Sequence, residues 1–222
     1  MKEIGGYFGL EELPSHEYHQ EATAVNSGRN ALVYLIRAQK IRKLYIPYYL
    51  CDSVSRVCER EHCTYEQYHV SASFHPVFEK TLAEDEWLYV VNYFGQLENE
   101  KELKQRYGNI IIDNVQAFFR KPSSHVDTIY SCRKFFGVPD GGYVYSDIHL
   151  EGLGTDVSKD RMAHVLGRYE GPASEYYQMF VRNDESFYDM DLKRMSRLTR
   201  NILGAIDYEA VKAKREKNFR CL

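Results

Sequence analysis

Lys134 stands in the run Ser131-Cys132-Arg133-Lys134-Phe135-Phe136-Gly137, with Gly141-Gly142 seven and eight residues further on. A lysine held on a rigid loop beside aromatic walls loses hydration of its ammonium form. Its neutral amine is then a nucleophile toward carbonyls and aldehydes. Taken alone, such a lysine is by default a solvated surface charge. Ser27-Gly28 adds a second element, standing where a helix would begin. Open backbone N–H groups at a helix start bind anions, and a glycine lets a phosphate come close. Its default reading is an ordinary capped helix. Asp113 and Gln116 supply a carboxylate and an amide just after the apolar run Ile110-Ile111-Ile112.

The elements that must position these groups alternate along the chain. Residues 1–22 are polar and read as an irregular arm, with His16 and His19 solvated. Ala31 to Arg37 is helical, with Leu32, Leu35 and Ile36 on one face. Lys43 to Pro47 reads as a strand, followed by Tyr48-Tyr49-Leu50-Cys51-Asp52 and a helix to about Arg60. Thr64 to Val70 is a further strand. Glu86 to Phe94 is almost uniformly apolar, as in a strand buried on both faces, and Gly95 ends it. A helix over Glu98 to Arg106 precedes a strand at Asn109 to Ile112. Asp127 to Ser131, the Lys134 loop and Tyr143 to Tyr145 read as strand, loop, strand.

This alternation predicts an α/β fold in three layers, α/β/α, with a mostly parallel sheet. Ligands bind such sheets at the carboxyl ends of the strands. Tyr48, Tyr49, Asp113, Gln116 and the Ser27-Gly28 turn are therefore expected on one rim. The division expected is an arm over 1–22, an α/β domain over 23–150 and a helical extension over 151–222. The extension reads as two helices, 158–181 and 186–220. Asp207 and Glu209 open the last one and cations close it, which complements the helix dipole.

Composition narrows the classes. The 222 residues include 19 Tyr and 11 Phe, which suits a pocket or a broad interface. A net charge of -3 gives no reason to expect nucleic acid or an anionic membrane as partner. The longest apolar run is too short to span a bilayer, and the start of the chain lacks a signal-peptide core. Five cysteines without a repeated spacing point to a reduced, cytoplasmic protein. Cys58, His62 and Cys63 lack the second pair that a zinc site needs.

Five marks in order resemble the DegT/StrS-type sugar aminotransferases, within the fold-type I pyridoxal 5′-phosphate (PLP) enzymes. They are Asn26-Ser-Gly-Arg-Asn-Ala-Leu32, Ile46-Pro-Tyr-Tyr49, Val91-Asn-Tyr-Phe-Gly95, Ile112-Asp-Asn-Val-Gln116, and Ser131-Cys-Arg-Lys134 with Gly141-Gly142. The resemblance covers roughly residues 23–147 and implies a role for each mark. Lys134 matches the lysine that binds PLP covalently and later shuttles a proton. Asp113 matches the carboxylate paired with the pyridine nitrogen. Gln116 packs near the ring and its phenolic oxygen. Gly28 and Arg29 match the backbone phosphate cradle, Ser131 adds a hydroxyl to it, and Tyr49 is the aromatic stacked on the ring.

The reaction implied moves an amino group from glutamate to a nucleotide-linked keto sugar, in a homodimer. Three departures stand out: the short Ser131–Lys134 spacing, Pro-Asp-Gly-Gly where Gly-Glu-Gly-Gly is common, and the stop at Leu222. Family members continue with a smaller C-terminal domain of about a hundred residues. The expectation is thus a PLP-binding large domain, truncated or naturally short. One alternative keeps the fold and makes the chain a catalytically degenerate partner or regulatory protein. Another is a non-PLP α/β protein that binds nucleotide sugars, although it has neither a Gly-x-Gly-x-x-Gly fingerprint nor a Walker-type loop.

Overall fold

The computed structural model describes residues 6–221. Its centre is one eight-stranded sheet, in spatial order β1-β8-β7-β6-β5-β2-β3-β4. The strands are β1 (Thr23–Val25), β2 (Lys43–Pro47), β3 (Thr64–Val70), β4 (Pro76–Val77), β5 (Glu86–Val91), β6 (Ile110–Asp113), β7 (Asp127–Ser131) and β8 (Gly142–Tyr145). The five strands from β7 through β3 in that order run parallel. β8, next to β7, and β4, on the far edge, run antiparallel to their neighbours. The short edge strand β1 pairs with β8, also antiparallel.

Period-2 alternation divides the apolar side chains between two faces. Trp87, Tyr89 and Val91 join Leu44, Ile46, Ile111 and Ile129 under α1 (Gly28–Ala38) and α2 (Ser53–Arg60). Leu88 and Val90 join Tyr45, Ile110 and Ile112 on the other face, with Leu103 of α3 (Glu100–Tyr107). The sheet is therefore covered on both sides, the three-layer α/β/α arrangement expected of parallel strands. β1 and β4 escaped the sequence reading because three and two residues are too few to show a period.

β5 stops at Val91, earlier than its apolar run suggests. Asn92 is the reason. It is fully buried; its Oδ1 accepts the Leu97 N–H at 2.8 Å and its Nδ2 donates to Asn114 Oδ1 at 2.8 Å. The chain turns there through a short 3₁₀ segment, Tyr93–Gly95, with Phe94 at φ 55°.

The C-terminal region corrects the expectation of two long helices. Four are formed: α4 (Ala163–Glu170), α5 (Ala173–Ser186), α6 (Arg197–Gly204) and α7 (Tyr208–Arg220). Gly171 and Pro172 are both extended and end α4, as a proline and the residue before it favour. Between α5 and α6 the chain runs extended beside β1, with Asn26 N–H to Lys193 C=O at 3.0 Å and Met195 N–H to Ala24 C=O at 3.1 Å. Buried Asp140 fastens this run, accepting from Ser196 N–H at 2.9 Å, from Ser196 Oγ at 2.8 Å and from the Thr199 hydroxyl. α7 matches its expected polarity: the Asp207 side chain caps it, Glu209 lies in its first turn, and Lys217 and Arg220 lie in its last.

His19 is a second correction. It is 1% exposed, packed among Phe118, Tyr130, Tyr143 and Tyr145. Nε2 lies 2.9 Å from the Phe118 carbonyl and Nδ1 3.0 Å from the Tyr145 hydroxyl. A carbonyl only accepts, so Nε2 carries the proton and Nδ1 accepts from Tyr145. Burial, the largest influence, pushes the His19 pKa down to about 4. A polar stretch disguised a buried residue because its aromatic partners come from distant strands. His16 is exposed.

Cys58 and Cys63 are buried around the end of α2, while His62 faces solvent. Among the described residues no cluster of three or more His, Cys, Asp or Glu is placed to hold a metal ion. No described helix is long and apolar enough to cross a membrane.

Candidate functional site

The parallel strands end on one rim. β2 runs into Tyr48-Tyr49, β5 into Asn92-Tyr93, β6 ends in Asp113, and β7 ends in Ser131. From β2 the chain goes outward to β3 on one side, whereas β5, β6 and β7 follow on the other. The crevice between β2 and β5 is thus a topological switch point, where open α/β sheets place their ligands. Tyr49 and Tyr93 close over it, their rings 5.4 Å apart and the Tyr93 hydroxyl donating to the Tyr49 carbonyl at 2.5 Å.

A cavity of about 850 Å³ opens along this rim. Its lining includes all seven residues singled out in the sequence: Gly28, Arg29, Tyr49, Asp113, Gln116, Ser131 and Lys134. The size lies within the range of small-molecule sites.

Asp113 is 3% exposed at the end of β6. Its Oδ2 accepts from the Tyr89 hydroxyl at 2.6 Å and its Oδ1 from the Val115 N–H at 2.8 Å. Burial raises its pKa, against the opposing pull of these two bonds and of the Lys134 charge. The carboxylate is oriented by its partners and retains free lone pairs. Gln116, on the following turn, accepts the Phe94 N–H at 3.3 Å and so joins the β5 and β6 ends.

The start of α1 faces the same space. Ser27 caps the helix, its Oγ accepting the Asn30 N–H at 3.0 Å and its carbonyl the Ala31 N–H at 2.9 Å. The amides of Gly28 and Arg29 precede that first helical bond, so the helix itself provides them no acceptor. A Cβ on Gly28 would lie 3.2 Å from Ser131 Cβ and 3.7 Å from Ser131 Oγ, which puts the β7 hydroxyl against the helix start. Gly142 explains the Gly-Gly pair: a Cβ there would lie 2.7 Å from the Ser27 carbonyl carbon and oxygen. Only a glycine lets β8 pass that close to the α1 cap.

Lys134 sits on the tight turn after β7, where the Phe135 and Phe136 amides both reach the Cys132 carbonyl at 3.0 Å. It lines the cavity but is exposed. The aromatic walls differ from the expected ones. Phe135 and Phe136 turn away and pack against Phe118 and Tyr208. Tyr48, Tyr49, Tyr93 and Phe94 line the cavity instead.

The side chain of Arg29 is committed elsewhere. Its Nη2 lies 3.0 Å from Asp184 Oδ2, and its guanidinium stands 4.4 Å from the Tyr188 ring centroid. The cavity wall formed by Arg133, Asp184 and Tyr188 was not foreseen. Arg133 adjoins Lys134 in the sequence and was open to inference. Asp184 lies 155 residues from Arg29, in a helix with no local mark of function.

The fold is an α/β domain whose rim cavity gathers a lysine, a buried carboxylate and open helix-start amides around one space. No family profile matches the chain, and no curated protein does. Similar solved structures include NtdA from Bacillus subtilis with bound cofactor PMP, at TM-score 0.49 and 12% identity, covering 57% of this chain and 33% of that one. DesV from S. venezuelae gives TM-score 0.46 and 18% identity over 74% of this chain and 53% of that one. For 3-amino-5-hydroxybenzoic acid synthase the TM-score is 0.46 and the identity 14%, over 79% of this chain and 47% of that one. The chain therefore spans 33%, 53% and 47% of those three lengths.

Proposed function

We propose that the chain binds PLP in the rim cavity and is the cofactor-binding domain of an aminotransferase that passes an amino group from glutamate to a nucleotide-linked keto sugar. The observation that carries this reading is the buried Asp113 carboxylate, held by Tyr89 and Val115 in the cavity that Lys134 also lines. The residues fit the cofactor on three counts. Asp113 has lone pairs left for a ring N–H and a pKa that a cationic partner would bring down. The Gly28 and Arg29 amides, beside the Ser131 hydroxyl, suit a phosphate at a helix start. Lys134 offers a primary amine on a turn fixed by backbone bonds.

When bound, PLP supplies a ring that accepts the electron pair left at a substrate carbon. The chain's own groups do the rest. Asp113 holds the proton on the ring nitrogen, which sustains that electron demand. Tyr89 and Val115 hold Asp113 in place. Lys134, on the cavity lining, would hold the cofactor through its amine and, when free, would carry a proton to and from the substrate Cα as general base and acid. Tyr49, stacked near Tyr93, offers its face as a platform for the ring.

Adding PLP to dialysed protein tests the reading. The expected result is a yellow, saturable complex whose visible band is lost in Lys134→Ala and discharged by glutamate. Protein that stays colourless and takes up no PLP would overturn it. The exposure of Lys134 favours one second reading, a domain that holds PLP without turnover. A stable yellow complex unaffected by glutamate, with or without a keto sugar, selects that one. A homodimer belongs to the same proposal: Tyr48, Tyr49 and Phe94, all more than half exposed at the cavity, would lie in its interface. Light scattering showing only monomer at micromolar concentration would remove it.

A further inference from the structure

Arg29 and Arg133 hold a single carboxylate between them. Arg29 Nη2 is 3.0 Å from Asp184 Oδ2, and Arg133 Nη1 is 3.0 Å from Asp184 Oδ1. The partners are unequally placed. The guanidinium side chains are 15% and 11% exposed, the aspartate 37%. The arginines belong to the cavity wall, and the carboxylate reaches them from α5.

Each arginine also has a support that does not involve the Asp184 carboxylate, from rings three and four residues further along the same segment. Arg29 stacks on Tyr188 and Arg133 on Phe187, at 4.4 and 4.5 Å from the ring centroids. Removing Asp184 would therefore leave both cations oriented. The charge is also unbalanced. Arg161, 5.2 Å from the same Phe187 ring, pairs with Asp156. Three arginines thus face two aspartates, with Lys134 on the same cavity. Burial first, then repulsion from Arg29 and Arg161, lowers the Arg133 pKa despite Asp184, whereas in Arg29 burial is outweighed by the bonds to Asp184 and Tyr188, which raise its pKa. Arg29 Nε is buried with no hydrogen-bond partner among the described residues.

The backbone around Asp184 is anchored: buried Asn183 donates to the Pro139 carbonyl at 2.8 Å and Phe187 is fully buried. The 37%-exposed Asp184 carboxylate can therefore rotate toward solvent while that end of α5 stays in place.

We propose that Arg29 and Arg133 form an oxyanion subsite of the cavity, filled in the free protein by the chain's own Asp184, which a ligand carboxylate or phosphate displaces. Two guanidiniums, each already placed on a different oxygen of one carboxylate, can donate to two oxygens of a carboxylate or a phosphate. The subsite rests on the proposed function only for placing its ligand beside a cofactor; anion binding itself does not require PLP. Its consequence is selectivity. A substrate gains this contact only if it carries a negative group that outcompetes Asp184.

Isothermal titration calorimetry with two probes tests this, using glutarate for a carboxylate source and inorganic phosphate for a phosphate source. Asp184→Asn is expected to bind at least one probe about tenfold or more tighter than wild type. Arg133→Gln placed in that background should abolish the gain. Which probe responds identifies the source. Equal affinity in wild type and Asp184→Asn, or binding indifferent to Arg133→Gln, overturns the subsite. If Asp184→Asn does not fold, Arg133→Gln in the wild-type chain decides: loss of probe binding supports the subsite and unchanged binding overturns it. PLP uptake without the Asp184→Asn effect sinks this inference alone. Anion binding through Arg133 without PLP uptake sinks the proposed function alone.

Discussion

The Tyr89 hydroxyl donates to Oδ2 of Asp113 at 2.6 Å, with both residues buried on neighbouring parallel strands. Register explains the meeting: Val91 pairs with Asp113 across β5 and β6, and Tyr89 precedes Val91 by two residues on the same face. One strand thus supplies the carboxylate and the next supplies the group that aims it. Burial, reinforced by the Asp113 charge, raises the Tyr89 pKa well above the ordinary phenol range, so Tyr89 stays a donor.

Tyr89→Phe leaves the packing nearly intact and removes that donor. An unsatisfied buried acceptor costs ~1–3 kcal/mol. Urea denaturation should show a loss of that size, and PLP affinity should fall with it. Unchanged stability would mean that the bond does not orient Asp113.

The raised pKa of Asp113 makes its own contribution to stability depend on pH. A carboxyl whose folded-state pKa lies above its unfolded value near 3.9 stabilises fully below that value. The contribution is lost as pH rises through the higher folded-state pKa. The stability of wild type relative to Asp113→Asn should therefore decline as pH rises from about 4 toward neutrality. Denaturation curves at pH 4, 5.5 and 7 measure it. A relative stability that rises over this range would contradict the assignment. Saturation with PLP should reduce the decline, because a cationic partner favours the ionised carboxylate.

His19 acts in the opposite direction. Its folded-state pKa of about 4 lies below the ordinary 6.5, so the unfolded chain takes up the proton first as pH falls. Stability is lost between about pH 6.5 and 4, by ~3 kcal/mol for a difference of that size. His19→Gln should flatten this part of the pH–stability curve. A curve as steep in the variant as in wild type would assign the loss to other groups.

Gly142→Ala tests the close passage of β8 over the α1 cap. The added methyl meets the Ser27 backbone, which cannot rotate aside as a side chain would. Overpacking of this kind costs ~1–3 kcal/mol. It should also disturb the Gly28 and Arg29 amides, so thermal stability and PLP affinity fall together. A variant with wild-type values for both would show that the cap has room.

Much of this was legible in the sequence where a local rule applied. The Ser27 cap and the apolar stripe of Leu32, Leu35 and Ile36 announced α1, and the Ile110–Ile112 run placed Asp113 at a strand end. Where position depended on distant partners, the sequence was silent. His19 looks solvated until Phe118, Tyr130 and Tyr143 surround it. Phe135 and Phe136 flank Lys134 in the chain, yet they pack toward Tyr208 rather than toward the cavity. Helical periodicity between 158 and 220 concealed the extended run that Asp140 ties down through Ser196 and Thr199. Asp184 carried no mark at all, because its significance comes only from the two arginines it reaches.

In the proposed function Lys134 is the lysine that holds the cofactor. The most direct measurement is to saturate the protein with PLP, reduce with borohydride, digest, and locate the phosphopyridoxyl group by mass spectrometry. One modified residue, Lys134, is expected, with no equivalent label in Lys134→Ala. Absence of label, or label spread over surface lysines and unchanged in Lys134→Ala, would contradict it.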